Sequence, residues 1–143
     1  MSKNGQIATE EGESNMKSIL EMIVEMQLKA KLPFFKGILP HTLPIVFYTS
    51  DVTEPYFAYG IFYCSQPSFR TCYFRIEDVT DSLVRFSLLY PTDIEGNYID
   101  NMQFPFSLKR TESKVTIPLK DFCSIQCINP NLIDRQVIIP GDK

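Results

Sequence analysis

The 143-residue sequence contains no tryptophan, a single histidine, four cysteines and six glycines. One histidine cannot build a metal site of several imidazoles. The glycines stand at positions 5, 12, 37, 60, 96 and 141, so no Gly-rich loop is present to cradle a phosphate. Four cysteines in a chain of this length are too few for a fold built on disulfides. No window approaches the ~20 apolar residues that cross a bilayer, so membrane insertion is not expected. Neither sign of charge dominates: 14 Lys+Arg face 17 Asp+Glu, a net charge of −3. Nucleic acid, which needs a basic footprint, is therefore not expected as a partner. Residues 1–14 are polar, and the apolar run after them is interrupted by Glu21 and Glu25 without a small-residue cleavage site. That pattern is not a signal peptide, and synthesis in the cytosol with reduced thiols is expected.

What remains is a chain that is 44% hydrophobic and 13% aromatic, its aromatics being eleven Phe and seven Tyr, with ten Pro. This length suits one domain and buries enough surface to need no covalent staple. Residues 1–14 show no hydrophobic period and read as a disordered arm ahead of a single domain over 15–143. Met16, Ile19, Leu20, Ile23, Met26 and Leu28 approximate the helical template, with Ser14 or Asn15 as N-cap and Pro33 as terminator. One helix is expected over 16–31, with Glu25 and Lys29 as an i, i+4 pair on its polar face. Its apolar stripe packs on its own domain or on a neighbouring subunit.

The segment PFFKGILPHTLP (33–44) is too proline-rich for a helix, and beyond it the period becomes two. Strands are expected at Ile45–Tyr48, Tyr56–Cys64, Thr71–Val79, Leu83–Tyr90, Val115–Leu119 and Phe122–Ile128, with a last edge strand at Gln136–Ile139. Gly60 inside the second marks a bulge or a close backbone approach. Thr71–Val79 and Leu83–Tyr90 read as a hairpin, Pro91–Gly96 as a turn, and Pro105 demotes its surroundings to an edge. Short strands with one leading helix give a mainly β fold, an antiparallel sandwich or barrel-like domain.

Few constellations offer chemistry. His41, between Pro40 and Thr42, is the one possible imidazole base, and no nucleophile elbow surrounds any Ser or Cys. A hydrolase is thus not expected, and no catalytic residue is assigned. The acidic pairs Glu77-Asp78 and Asp93 with Glu95 read as turn caps. Cys123 and Cys127 are closely spaced in a strand, while Cys64 and Cys72 flank a Pro-containing turn. A four-thiolate zinc site shows two tight pairs, so no metal is expected. The alternatives are small buried hydrophobes, with Cys72, Phe74 and Ile76 on one face, or thiols poised for disulfides between subunits. Tyr56, Tyr59, Tyr63 and Tyr73 with Arg70 and Arg75 suggest an aromatic-basic sheet face, with Tyr73 and Arg75 at its centre, for a glycan or protein partner.

Two segments exceed a generic β pattern. One holds Tyr73-Phe74-Arg75-Ile76-Glu77 followed by Ser87-Leu88-Leu89-x-Pro91-x-Asp93-x-x-Gly96. The other is Phe122-Cys123-Ser124-Ile125-Gln126-Cys127-Ile128-x-Pro130-x-Leu132-Ile133-Asp134-Arg135. With the leading helix and the Pro-rich connection, these resemble the CotY/CotZ/ExsY family of spore coat and exosporium proteins over about residues 16–135. The resemblance implies a structural, non-enzymatic role without cofactor. It implies synthesis in the mother-cell cytoplasm, deposition on the forespore, and self-assembly into sheets of the coat crust or exosporium basal layer. Partners would be further copies and other coat or exosporium proteins. Family cysteines cross-link those sheets. Cys123 and Cys127 match the motif cysteines by position, and Cys64 and Cys72 are further candidates. The chain departs from the family in having Thr80-Asp81-Ser82-Leu83 and Lys120-Asp121 where relatives tend to carry cysteine clusters. A lattice held mostly by packing is the version this composition favours.

Overall fold

A computed structural model describes residues 2–35, 37, 39–49, 53–61, 68–100 and 104–133, with side chains from Asn15 onward. Helix α1 spans Ser2–Lys29. The strands are β1 (Ile45–Thr49), β2 (Ala58–Ile61), β3 (Ser68–Thr71), β4 (Phe74–Val79), β5 (Leu83–Thr92), β6 (Ser107–Pro118) and β7 (Phe122–Cys127). Five of them form one sheet in the order β6-β5-β4-β1-β7, and β2 pairs with β3 in a separate two-stranded sheet. Every strand pair is antiparallel. The sheets do not close into a barrel, so the mainly β expectation holds in its sandwich-like form.

The helix begins well ahead of residue 16, in the stretch read as an arm, and ends at Lys29 rather than 31. Local hydrogen bonding can extend through residues 2–14, which contain no proline. Pro33 disfavours helical backbone at Leu32 and opens a short 3₁₀ turn over Pro33–Phe35. Leu20, Ile23, Gln27 and Ala30 form the buried line, while Ile19 and Leu28 are exposed. The true stripe runs 20-23-27-30, and Leu28 lies about 100° round the helix from Gln27. Glu25 and Lys29 pair at 3.2 Å as expected.

Helix α1 lies on one face of the sheet. There Leu20 and Ile23 meet Ile45, Phe47, Phe74, Ile76, Val84, Phe86, Leu88, Ile117 and Leu119. Phe47 is the hub of this core, with ring centroids 5.1 Å from Tyr56, 5.0 Å from Phe74, 4.9 Å from Phe86 and 4.8 Å from Phe122. Aromatic pairs at these separations add stabilisation beyond their buried area. The β2–β3 sheet covers the same face beside the helix, contributing Ala58 and Phe69. Close approach explains Gly60: a Cβ there would lie 2.8 Å from Ser113 Cβ and 2.9 Å from Leu88 Cδ2. Ser113 Oγ accepts from Ile61 N at 2.9 Å and donates to Ile61 O at 3.0 Å, fastening β2 to β6.

The opposite face carries a second core of Val46, Cys72, Tyr73, Leu89, Leu108, Ile128 and Leu132. The chain leaving β7 crosses this face and ends in a parallel bridge between Ile133 and Leu108. That cover buries Ser87 and Leu89, while the first core buries Val84, Phe86 and Leu88, so β5 alternates only in its first half. The β4–β5 hairpin forms as expected. The strand read over Thr71–Val79 is instead split between β3 and β4, and the break at Cys72-Tyr73 turns Cys72 away from Phe74 and Ile76 into the second core. β5 runs through Pro91 to Thr92. Ile99 N donates to Pro91 O on the side away from β6, where β4 has already ended, so the missing N–H breaks no ladder. The edge strand expected at Gln136–Ile139 lies outside the described residues.

Candidate functional site

The two outer strands of the sheet have opposite chemistry. β6 is twelve residues long and carries Lys109, Arg110, Glu112 and Lys114. Charges of this kind blunt an edge against foreign strands. β2 is fastened across it through Ser113, and Ile133 closes its Leu108 end. β7 is six residues, FCSIQC, without a charged side chain. Among the described strands it pairs with β1 alone: Ile45 faces Cys127, Val46 faces Gln126, Phe47 faces Ile125 and Tyr48 faces Ser124. Between Tyr48 and Thr49 the register shifts, so that Thr49 faces Phe122 and Cys123 is the extra residue of a bulge.

The direction of the free backbone groups follows from two bonds outside the ladder. Phe47 O accepts from Tyr56 N at 2.8 Å, so Phe47 turns its backbone away from β7. Ile128 N donates to Pro44 O at 2.8 Å. In antiparallel alternation Pro44, Val46 and Tyr48 then face β7, and Ile128, Gln126 and Ser124 face β1. The N–H and C=O groups of Ile125 and Cys127 point outward. No described residue covers them. Phe122 and Ile125 send their side chains to the first core, which anchors the strand, while Cys123, Ser124, Gln126 and Cys127 are exposed.

The four cysteines separate accordingly. Cys123 and Cys127 are free and exposed. Cys72 is a buried thiol at 2% exposure, and burial pushes its pKa up to about 11 against the hydrogen bond from Tyr73. A thiol so seldom ionised and so enclosed is a small core hydrophobe. Cys64 lies outside the described residues. No group of His, Cys, Asp and Glu suited to a metal ion occurs among the described residues. No described helix is long and apolar enough to cross a membrane.

Among the described residues the aromatic-basic face is not assembled. Tyr73 and Arg75 are only 7% and 8% exposed, because the Pro-rich connection and the 128–133 segment cover that side of the sheet. Arg75 ties the connection down, with Nε donating to Thr42 Oγ1 at 2.9 Å and Nη2 to His41 O at 3.2 Å. Its Nη1 pairs with Glu77 Oε1 at 2.8 Å, and Ser87 Oγ donates to the other carboxylate oxygen. Burial, the largest single influence on Glu77, raises its pKa. The Ser87 hydrogen bond, Arg75 and Lys114 together outweigh it and hold the carboxyl below the usual value. Tyr59 is exposed, Tyr56 is stacked in the core and Tyr63 lies outside the described residues. Arg70 sits 4.2 Å over the Phe57 ring and donates to Asp100 O. His41 is exposed and offers Arg75 its carbonyl rather than its ring.

Of the acidic pairs, Asp93 caps a turn, accepting from the backbone N of Glu95 and of Asn97 at 2.9 Å each. Glu77 and Asp78 instead sit in β4, where Glu77 is the extra residue of a bulge and Asp78 pairs with Arg85 at 2.8 Å. Sequence reasoning also missed Gln27. It is 2% exposed, with Nε2 donating to Ile76 O and Oε1 accepting from Leu43 N, both at 2.9 Å. Its position on the apolar line of the helix was the available signal.

Spore coat protein Z of Bacillus subtilis (strain 168) is 33% identical to the chain over 113 residues, which span 74% of this chain and 76% of that protein. No protein-family model matches. No solved structure matches either.

Proposed function

The chain belongs to the family of spore coat protein Z, and from that premise we propose that it is a structural protein of the endospore coat that builds or modifies a two-dimensional protein layer. Its partners in this reading are further copies and other coat proteins. The observation that carries it is the kinship over three quarters of the chain with a coat protein. The β7 edge supports it with an uncharged strand that no described residue covers, bearing two exposed thiols.

Contacts of two kinds are needed to tile a surface: one that closes locally and one that links the closed units. With Cys72 in the core, exposed thiols among the described residues are confined to Cys123 and Cys127. Packing and backbone pairing therefore hold the layer, and disulfides at Cys123 and Cys127 lock it once the surroundings turn oxidising. The test is electron microscopy of the purified protein with and without reductant. Ordered sheets or large oligomers are expected in both conditions. A monomer at high concentration in both would overturn the reading for the protein acting alone.

A further inference from the structure

The β7 edge specifies its partner by its own sequence. Read outward from Ile125, the strand is Cys-Ser-Ile-Gln-Cys, nearly the same in both directions. Antiparallel pairing of two such strands about a two-fold axis through Ile125 places Ile125 opposite Ile125. It places Ser124 opposite Gln126, and Cys123 opposite Cys127, each twice. The backbone agrees with this register at its centre, because the outward-pointing groups of Ile125 meet those of Ile125 in the other strand. The electrostatics agree too, since an uncharged strand meets its own copy without repulsion, whereas the charged and fastened β6 edge offers no such seat.

We propose that the β7 edge is a homotypic docking site, at which a second copy of this chain adds its own β7 antiparallel about Ile125 to make one sheet continuous across two subunits. This names the partner of the edge described above and rests on the coat reading. Residues directly opposite across such a pair have Cα atoms about 4.5–5.5 Å apart, inside the span a disulfide bridges. Cys123 of each copy therefore lies within reach of Cys127 of the other. Two like cysteines lie four positions apart along the strands, about 13 Å, beyond that span.

The experiment uses the full chain with Cys64→Ser throughout and either Cys123→Ser or Cys127→Ser added. An oxidised small-molecule disulfide is supplied as oxidant. The two protein thiols lose two protons and two electrons to it and become one disulfide, while the reagent is reduced to two thiols. Each variant alone should stay uncrosslinked, and an equimolar mixture should give at least about tenfold more disulfide dimer, because only unlike cysteines face each other. Peptide mapping should find Cys123 joined to Cys127. A disulfide homodimer of either variant alone, or a mixture that fails to cross-link, overturns the proposal.

A second measurement does not depend on thiols. Ser124→Lys with Gln126→Lys, and Ser124→Glu with Gln126→Glu, should each lose self-association, since like charges then stand opposite. Mixing the two should restore it. Unchanged association of either separate variant overturns the pairing. Sheets in electron micrographs without the mixed cross-link would reject β7 pairing and leave the coat reading standing. Absence of both sheets and cross-link rejects the two together.

Discussion

The two edges of the central sheet solve the same problem in different ways. β6 is long, charged, fastened by Ser113 to β2 and bridged at its Leu108 end by Ile133. β7 is short, uncharged and covered by no described residue, yet its inner side is anchored by Phe122 and Ile125 in the aromatic core. An edge protected by charge is a surface that keeps other strands away. An edge with no such protection, firmly held from behind, is a surface on which another strand can be laid. The difference gives the molecule a direction.

The comparison can be broken at several points. The largest effect is expected at Phe122, whose ring sits 4.8 Å from Phe47. Phe122→Ala should cost about 3 kcal/mol in chemical denaturation and loosen β7, with faster amide exchange in that strand than elsewhere. Uniform exchange across both edges would show that β7 is not held by that anchor. Next comes Gly60→Val, which must push β2 off Ser113 and Leu88. A loss of about 2 kcal/mol or more is expected, with new exposure of the β6 edge. Wild-type stability in that variant would mean that β2 does not fasten the edge.

Glu77→Gln reports on the polar layer between the edges, with an expected loss of about 2 kcal/mol near neutral pH. Because the folded-state pKa of Glu77 is lowered, its contribution is present above the usual carboxyl value of 4.5 and is lost as pH falls through the folded value. Urea midpoints from pH 7 down to pH 3 should therefore fall more steeply for the wild type than for Glu77→Gln, and parallel curves would refute the assignment. Smaller again, Ser113→Ala should cost about 1 kcal/mol through its two hydrogen bonds to Ile61. The smallest effect is reserved for the exposed thiols. Cys123→Ser and Cys127→Ser should each change folding stability by less than about 0.5 kcal/mol, and a larger loss would make them structural rather than interfacial.

Much of this was legible in the sequence wherever one local rule acted alone. The β4–β5 hairpin, the β7 segment, the Glu25–Lys29 pair and the close approach at Gly60 each followed from spacing or residue type. What stayed hidden depended on cover. Tyr73 and Arg75 alternate as a surface pair should, but the 128–133 segment covers the first and the Pro-rich connection the second. Cys72 was assigned the wrong face because a break between two strands resets the alternation, and no residue type announces such a break. At Cys123 a bulge does the same on a smaller scale. Phe122-Cys123 and Cys127 were visible as a motif, whereas the outward direction of the backbone at Ile125 and Cys127 required the partner strand.

Gln27 joins the helix to the strand β4 at Ile76 and to the Pro-rich connection at Leu43 with a single amide. A buried amide without partners is costly, so the two bonds act as an alignment key. Sliding the helix by one turn, about 5.4 Å, would part both at once. A purely oily contact would tolerate such a slip. The amide therefore gives the helix one register on the sheet. Each subunit then presents the same outline to every neighbour, the condition under which identical parts can repeat across a surface without accumulating error.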